Sequence, residues 1–188
     1  MAIGRMGHAV QSFGEDVTTT GDSIQRYALG TVREEESSTS GRGCEKYRYV
    51  YQNESTVTAA AGGIAYRGQT LGNIWEVGMD VSDVDSAFAC GVYQSVLGDT
   101  KYGWVKVLGY EATLKKANGT RLNWRKGEYL YAAGNASQDG MSINIDLGAA
   151  NTQVTQTALE RFLERQVGWA ATVATSTATS GKAYIQFE

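Results

Sequence analysis

"GDTKYGWVKVLGYEATLKKANGTRLNW", residues 98–124, is the stretch of the sequence that decides the fold. It is dense in aromatic and β-branched residues, which favour strands. Tyr102 and Trp104 share one parity along this stretch, and Val105 and Val107 share the other. Because both faces carry apolar groups, we predict a strand that is central in its sheet or covered on both sides.

A turn signal interrupts the same stretch at residues 118–119, where the sequence reads Asn-Gly. Asn-Gly is the preferred centre of a two-residue type I′ turn, whose twist matches paired antiparallel strands. The stretch therefore predicts a hairpin whose second strand lies in "TRLNW", residues 120–124. The chain has 23 Gly and no Pro, so its other turns must also rely on Gly, Asn, Asp and Ser.

Strand patterns recur through the rest of the chain. "CEKYRYVYQNE", residues 44–54, places Tyr47, Tyr49 and Tyr51 on one face of a predicted strand. "RYALGTVREEE", residues 26–36, reads as a short strand that ends in an acidic turn. Near the C-terminus we predict a turn at Ser180-Gly181 before a final strand. Many short strands at roughly 8 to 12 residue spacing predict an all-β sandwich or barrel of short antiparallel strands.

Two segments differ from this pattern. Residues 156–166 predict one short helix, because three apolar residues recur at helical spacing and Thr157 with Glu160 forms a capping box. The apolar residues are Leu159, Phe162 and Leu163. Residues 1–23 are rich in Gly, Thr and Ser and predict an extended N-terminal arm. We therefore divide the chain into an arm, residues 1–23, and a single β-rich domain, residues 24–188.

The net charge of the chain limits which classes of partner it could bind. The net charge is −3 and the pI is near 5.3, which argues against nucleic-acid binding, since that needs clustered Lys and Arg. No run reaches the roughly 18 apolar residues of a membrane span, and no apolar signal segment is apparent, so we expect a soluble protein made in a cytoplasm. Cys44 and Cys90 form no CxxC pair and are expected to be free, buried or half-buried thiols.

The sequence offers few residues for catalysis or metal binding. The single histidine, His8, lies in the arm, and no triad, zinc-protease or phosphate-loop spacing occurs. We therefore expect no enzyme, no catalytic residue and no cofactor. Asp80, Asp83 and Asp85 place three carboxylates close together, as a Ca²⁺ site would, but they lack the other features of a calcium loop. We favour a solvated acidic loop and no metal, and cation binding there is left open.

A glycosidase needs two carboxylates across a cleft. Glu45, Glu76, Glu111 and Glu128 lie on predicted strands, and nothing in their spacing selects two of them. The aromatic residues could equally form a sugar- or protein-binding surface or fill a β core. For Tyr102 and Trp104 we favour a core or a subunit interface over a ligand platform.

One block resembles a known family. "GVYQSVLGDTKYGWVKVLGYEATLKKANGT…RKGEYLYAAGNASQDG" is similar to the head decoration, or capsid cement, proteins of tailed bacteriophages. The shared elements are a small-residue strand, a Gly-Asp turn, "YGWV-x-V-x-G", a strand pair and "G-[DE]-x-L". "LGTV…GCEKYRYVYQN" and "RQVGWAATVATSTATSGKAYIQFE" resemble the segments before and after this block. The likeness covers residues 28–188 loosely, and the helix and the arm depart from it.

The resemblance implies an all-β, oligomeric protein on the capsid exterior that bridges neighbouring subunits of the major capsid protein. Its partners would be that protein and further copies of itself, with a homo-trimer favoured over a dimer and no nucleic acid or membrane. Synthesis would occur in the host cytoplasm. The candidate contact residues are Tyr102 and Trp104 in the domain and four apolar residues of the arm: Ile3, Met6, Val10 and Phe13.

Two other functions fit the sequence. The chain could be another virion component, such as a tail, head-fibre or adaptor protein. It could also be a carbohydrate-binding β-sandwich for host attachment, in which Trp75 and Trp124 would be exposed sugar contacts.

Overall fold

The fold is taken from a computed structural model of the chain. It describes residues 16–18, 20–37, 43–54, 58–67, 75–80, 88–117, 123–132, 140–144, 166–175 and 177–187. Within these ranges the chain forms ten strands and no helix, so the predicted all-β class is confirmed for the described residues. The strands are β1 (Val32–Glu36), β2 (Cys44–Gln52), β3 (Ile64–Arg67), β4 (Glu76–Gly78), β5 (Ala89–Tyr93), β6 (Lys101–Lys115), β7 (Tyr129–Ala132), β8 (Ser142–Asn144), β9 (Gln166–Ala170) and β10 (Ser180–Gln186).

Five of the strands close into a barrel in the order β2–β4–β3–β5–β6, with β6 pairing back onto β2. The sequence left sandwich and barrel open, and the structure selects the barrel. Four of the five pairings are antiparallel, as predicted. The pairing of β2 with β4 is parallel, which corrects the expectation of antiparallel strands throughout.

The other strands extend this barrel from two of its members. β1 adds to the free edge of β2. β10 pairs with the second half of β6, and β9, β7 and β8 follow it in order. Ser142 at the start of β8 then forms a parallel bridge with Lys116, just beyond β6, and the Ala117 N–H donates to the Ser142 carbonyl at 3.0 Å. β8, the last strand of the extension, thus returns to the end of β6, the strand from which the extension began.

Three groups of buried side chains make up the core. The first fills the barrel and includes Val50, Val77, Leu97, Val105 and Val107. The second lies between the barrel and the extension, and it combines Ile64, Tyr66 and Val92 of barrel strands with Leu130, Val167 and Ile185 of the extension. The third, on the outside of β2 and β6, is aromatic and includes Tyr47, Tyr49 and Trp104. Since β6 has buried side chains on both faces and strands on both edges, the predicted central strand is confirmed.

Three local predictions are wrong. The turn predicted at residues 118–119 lies outside the described residues, but Trp124 of the predicted hairpin pairs with Ala174. The end of β6 is already bonded on both edges, since Lys115 pairs with Ser180 of β10 and its N–H donates to the Gly62 carbonyl. The acidic run after Val32 is strand β1 itself, and there Glu34 faces Lys46 of β2. Ser180-Gly181 opens strand β10 instead of a turn. A Cβ on Gly181 would meet the Trp124 ring at 2.4 Å, so the glycine permits close packing.

The structure describes only parts of the predicted helix and of the predicted N-terminal arm. The predicted helix at 156–166 lies outside the described residues except for Gln166, which begins β9. Of the predicted arm, residues 16–18 and 20–23 are described, and they lie on the barrel. Val17 is buried in the aromatic group, and Asp22 and Tyr102 exchange two backbone hydrogen bonds at 2.9 and 2.8 Å. These residues therefore pack as part of the domain.

Candidate functional site

Four aromatic residues line up across four neighbouring strands. Tyr110 of β6 is in register with Tyr184 of β10. Tyr184 is in register with Trp169 of β9, which is in register with Tyr129 of β7. Residues that pair across strands project to the same face of a sheet, so the four side chains lie side by side. We call these four residues the aromatic row.

The row is open to solvent along most of its length. The exposed fraction is 58% for Tyr129, 37% for Trp169 and 36% for Tyr184, whereas Tyr110 at the inner end is nearly buried. The rings of Trp169 and Tyr184 lie 5.9 Å apart at 29°, and those of Tyr110 and Tyr184 lie 5.5 Å apart at 67°. Ring-to-ring contacts of this kind fix the side chains relative to one another.

The opposite face of the same strands is tightly packed. Leu130 of β7, Val167 and Ala170 of β9, and Ala183 and Ile185 of β10 are all buried in the second core group. The row therefore stands on a rigid support. Exposed, clustered Tyr and Trp side chains on a rigid sheet are typical of surfaces that contact other macromolecules, because such residues dominate the energetics of interfaces.

The contact residues expected from the sequence lie elsewhere. Trp104 is 3% exposed, and its ring lies 5.0 Å from Tyr49 and 5.4 Å from Tyr27. Tyr102 is half-buried beside Tyr51, with ring centroids 4.7 Å apart. The chain's own segment before β1 supplies Tyr27 and so covers Trp104. A contact between Trp104 and another subunit would require that segment to move.

The other expected contacts are not described. Ile3, Met6, Val10 and Phe13 lie outside the described residues, so their role stays a prediction, as does that of Tyr102. Trp124, proposed from the sequence as an exposed sugar contact, is fully buried in the second core group, so that expectation is wrong. Trp75 is half-buried against two arginines.

A buried ionic network lies where β2, β5 and β6 meet. Lys106 Nζ lies 3.3 Å from Glu45 Oε2 and 3.5 Å from Glu111 Oε2, and it donates to the Tyr110 carbonyl at 2.8 Å. The Tyr47 hydroxyl donates to Glu45 Oε2 at 2.5 Å. Glu45 and Glu111, two of the carboxylates considered from the sequence, thus share one ammonium group.

The partners of these carboxylates argue for a structural role. Ser37 Oγ donates to Glu45 at 3.0 Å, and Gln94 Nε2 donates to Glu111 at 3.1 Å. Burial by itself raises the pKa of Glu45, but the hydrogen bonds from Tyr47 and Ser37 and the charge of Lys106 outweigh it, so the pKa lies below its usual value. A general acid needs a raised pKa, so Glu45 is not suited to be the general acid of a glycosidase.

The remaining carboxylates considered from the sequence make local contacts. Glu76 accepts a hydrogen bond from Asn53 Nδ2 at 3.1 Å, and Glu128 accepts one from the Arg125 backbone at 2.8 Å. Of the acidic loop, Asp80 is described, whereas Asp83 and Asp85 lie outside the described residues. In the ranges that the structure covers, no three His, Cys, Asp or Glu side chains gather as metal ligands would.

The structure also bears on the two cysteines and on membrane-spanning helices. Cys44 and Cys90 are free thiols, half-buried and buried respectively, which confirms that prediction. Burial raises the pKa of Cys90 to about 12, and burial together with Glu34 raises that of Cys44 to about 11. Among the described residues, no helix has the length and apolarity that a membrane span requires.

Sequence reasoning missed the aromatic row, although part of its signal was present. In "KAYIQ", residues 182–186, Ala183 and Ile185 take the buried parity of β10, which leaves Tyr184 on the solvent side. An aromatic residue on the polar parity of a strand is a signal that the sequence contains. That Tyr184, Trp169 and Tyr129 are neighbours depends on the pairing of strands far apart in sequence, which no local pattern reveals.

The fold and the row together define a class: an all-β protein with a closed five-stranded barrel, a strand extension and an exposed aromatic surface. No protein-family model, no characterised protein and no solved structure matches the chain.

Proposed function

We propose that this chain is a structural protein of a virion, of the capsid decoration type, which binds the outer capsid surface and bridges neighbouring subunits of the major capsid protein. The resemblance of residues 28–188 to head decoration proteins motivates the class. The aromatic row is the observation that carries the proposal, because it offers an exposed, rigid surface of the composition found at the centres of protein interfaces.

Exposed Tyr and Trp side chains occur both in protein interfaces and in sugar-binding surfaces. The resemblance to capsid decoration proteins favours a protein partner over a sugar. In the row, Tyr129 and Trp169 would insert between side chains of a capsid subunit. We expect the protein to be synthesised in the host cytoplasm and to act as a homo-trimer, so that several weak contacts add up.

The test is co-sedimentation of the purified protein with expanded capsids of the major capsid protein encoded alongside it. Trp169→Ala combined with Tyr129→Ala should raise the Kd for capsids about tenfold or more, since truncating an interface hot spot costs about 2 kcal/mol. Phe88→Ala is the matched control, because Phe88 is 43% exposed but lies outside the row. Capsid binding that survives the double substitution would exclude the row as the contact.

The alternatives give different results in the same system. A tail, head-fibre or adaptor protein would appear at another position in a cryo-electron microscopy map of the virion. A carbohydrate-binding protein would bind a glycan array in a way that Trp169→Ala abolishes, and it would not co-sediment with capsids.

A further inference from the structure

Two arginines share one indole ring at a corner of the barrel. Arg48 lies in β2, Arg67 ends β3, and Trp75 immediately precedes β4. The guanidinium carbon of Arg48 is 4.2 Å from the centre of the Trp75 ring, and that of Arg67 is 4.7 Å from it. All three residues are half-buried. Stacking on one ring holds two planar cations in fixed positions at the edge of the solvent.

The charge of Arg48 is not balanced by the protein groups described around it. Its Nε and Nη1 atoms are shielded from solvent and have no hydrogen-bond partner, and among the described residues no carboxylate forms an ion pair with it. Buried polar hydrogens normally have acceptors, so an unsatisfied guanidinium edge calls for an explanation.

The nearby thiol does not provide the missing negative charge. Cys90 is buried next to both arginines, and burial raises its pKa to about 12 despite their charges, so it is neutral at pH 7. Burial also lowers the pKa of Arg48, and the charge of Arg67 lowers it further. The guanidinium group of Arg48 thus carries a positive charge that an anion would stabilise, and Arg67 stacks on the same ring.

We propose that Arg48 and Arg67, positioned by Trp75, form a binding site for a tetrahedral oxyanion of the phosphate type. A guanidinium group donates two parallel hydrogen bonds to such an ion, and this bidentate contact is among the stronger polar interactions in proteins. Two guanidinium groups on different strands can each form a bidentate contact most readily with an anion whose oxygens point in several directions. Phosphate has four oxygens, whereas a carboxylate has two. The site is separate from the aromatic row and does not depend on the proposed function.

The test uses the whole chain and inorganic phosphate as the probe. Isothermal titration at pH 7, with chloride keeping the ionic strength at about 0.15 M, should show saturable binding with a Kd of about 1 mM or below. Arg48→Met keeps much of the length of the side chain and removes the guanidinium group. It should weaken phosphate binding at least about tenfold. Absence of saturable binding by the unmodified chain would overturn the proposal.

Another arginine that lies over an aromatic ring provides the matched control. Arg33 also lies over an aromatic ring, 5.9 Å from the centre of Trp104, but it forms an ion pair with Glu35. Arg33→Met should leave the Kd for phosphate unchanged; an equal loss in both variants would show only general attraction by positive charge and would overturn the site. Circular dichroism checks that each variant folds.

Two further measurements test whether the site binds a tetrahedral anion. Arg48→Lys retains the charge without the fork, which guards against a folding defect in Arg48→Met, and it should also weaken phosphate binding, because a single ammonium group replaces a bidentate contact. Acetate in place of phosphate should bind at least about tenfold more weakly. Acetate binding as tight as that of phosphate would overturn the assignment to a tetrahedral anion.

Discussion

Two buried lysines lie in opposite electrostatic surroundings. Lys106 is shared by Glu45 and Glu111. Lys116 is 1% exposed, and its Nζ donates to the Ala117 carbonyl at 3.1 Å, while no carboxylate of the described residues forms an ion pair with it. A buried ammonium group that lacks a counter-charge destabilises the folded state. Burial accordingly lowers the pKa of Lys116.

We expect Lys116→Met to stabilise the protein by about 1 to 2 kcal/mol at pH 7, because methionine fills a similar volume without a charge. The pKa of Lys116 is lower in the folded than in the unfolded chain, so the folded state binds fewer protons and the stability of the unmodified protein rises with pH toward the unfolded pKa. The advantage of methionine should therefore shrink between pH 7 and pH 10.

Urea unfolding at both pH values measures this difference. Lys115→Met, a substitution at the half-buried neighbour, is the control and should give no comparable gain. A loss of stability in Lys116→Met at pH 7 would contradict the interpretation that the buried charge is unfavourable.

At the scale of the element, strand β9 depends on one glycine. Gly168 has φ +148°, and a Cβ at this position would lie 2.0 Å from the Tyr184 carbonyl oxygen of β10. The close approach brings Trp169 beside Tyr184 in the aromatic row. Gly168→Ala should lower the free energy of unfolding by about 3 kcal/mol, since both backbone strain and overlap with a backbone oxygen oppose it.

Gly127→Ala separates these two causes. Gly127 also has a positive φ, +83°, but a Cβ there meets nothing within 4 Å. This variant should lose only about 1 kcal/mol, the cost of the left-handed backbone alone. Thermal or urea unfolding of the two variants compares them directly, and equal losses would show that the contact with Tyr184 is unimportant.

The elements also show how far the sequence predicts the structure. The alternation of tyrosines in residues 47–51 predicts β2, and apolar residues on both faces of residues 102–108 predict a central β6, because burial leaves a local pattern. The pairing of one strand with another leaves no such local pattern. The parallel pairing of β2 with β4, the bridge of Trp124 to Ala174 and the aromatic row all join segments distant in sequence, so the sequence predicted none of them.

At the scale of the whole molecule, the barrel and its extension share both a strand and a core. β6 belongs to the barrel through its pairs with β2 and β5 and to the extension through its pairs with β10. The second core group joins Ile64 and Val92 of the barrel to Leu130 of the extension. Units that share a core of this kind unfold together, so the described strands should form a single cooperative unit.

Leu130→Ala tests this cooperativity, because Leu130 is fully buried in the extension. Its removal should cost about 2 to 5 kcal/mol. Cys90 is buried in the barrel, so in a Cys44→Ser background its labelling in urea reports barrel opening. One cooperative unit requires the midpoints of Cys90 labelling and circular dichroism to fall together in Leu130→Ala. Val173→Ala, at an exposed site, should move neither midpoint. A Cys90 midpoint that stays fixed while the dichroism midpoint falls would mean that the barrel folds without its extension.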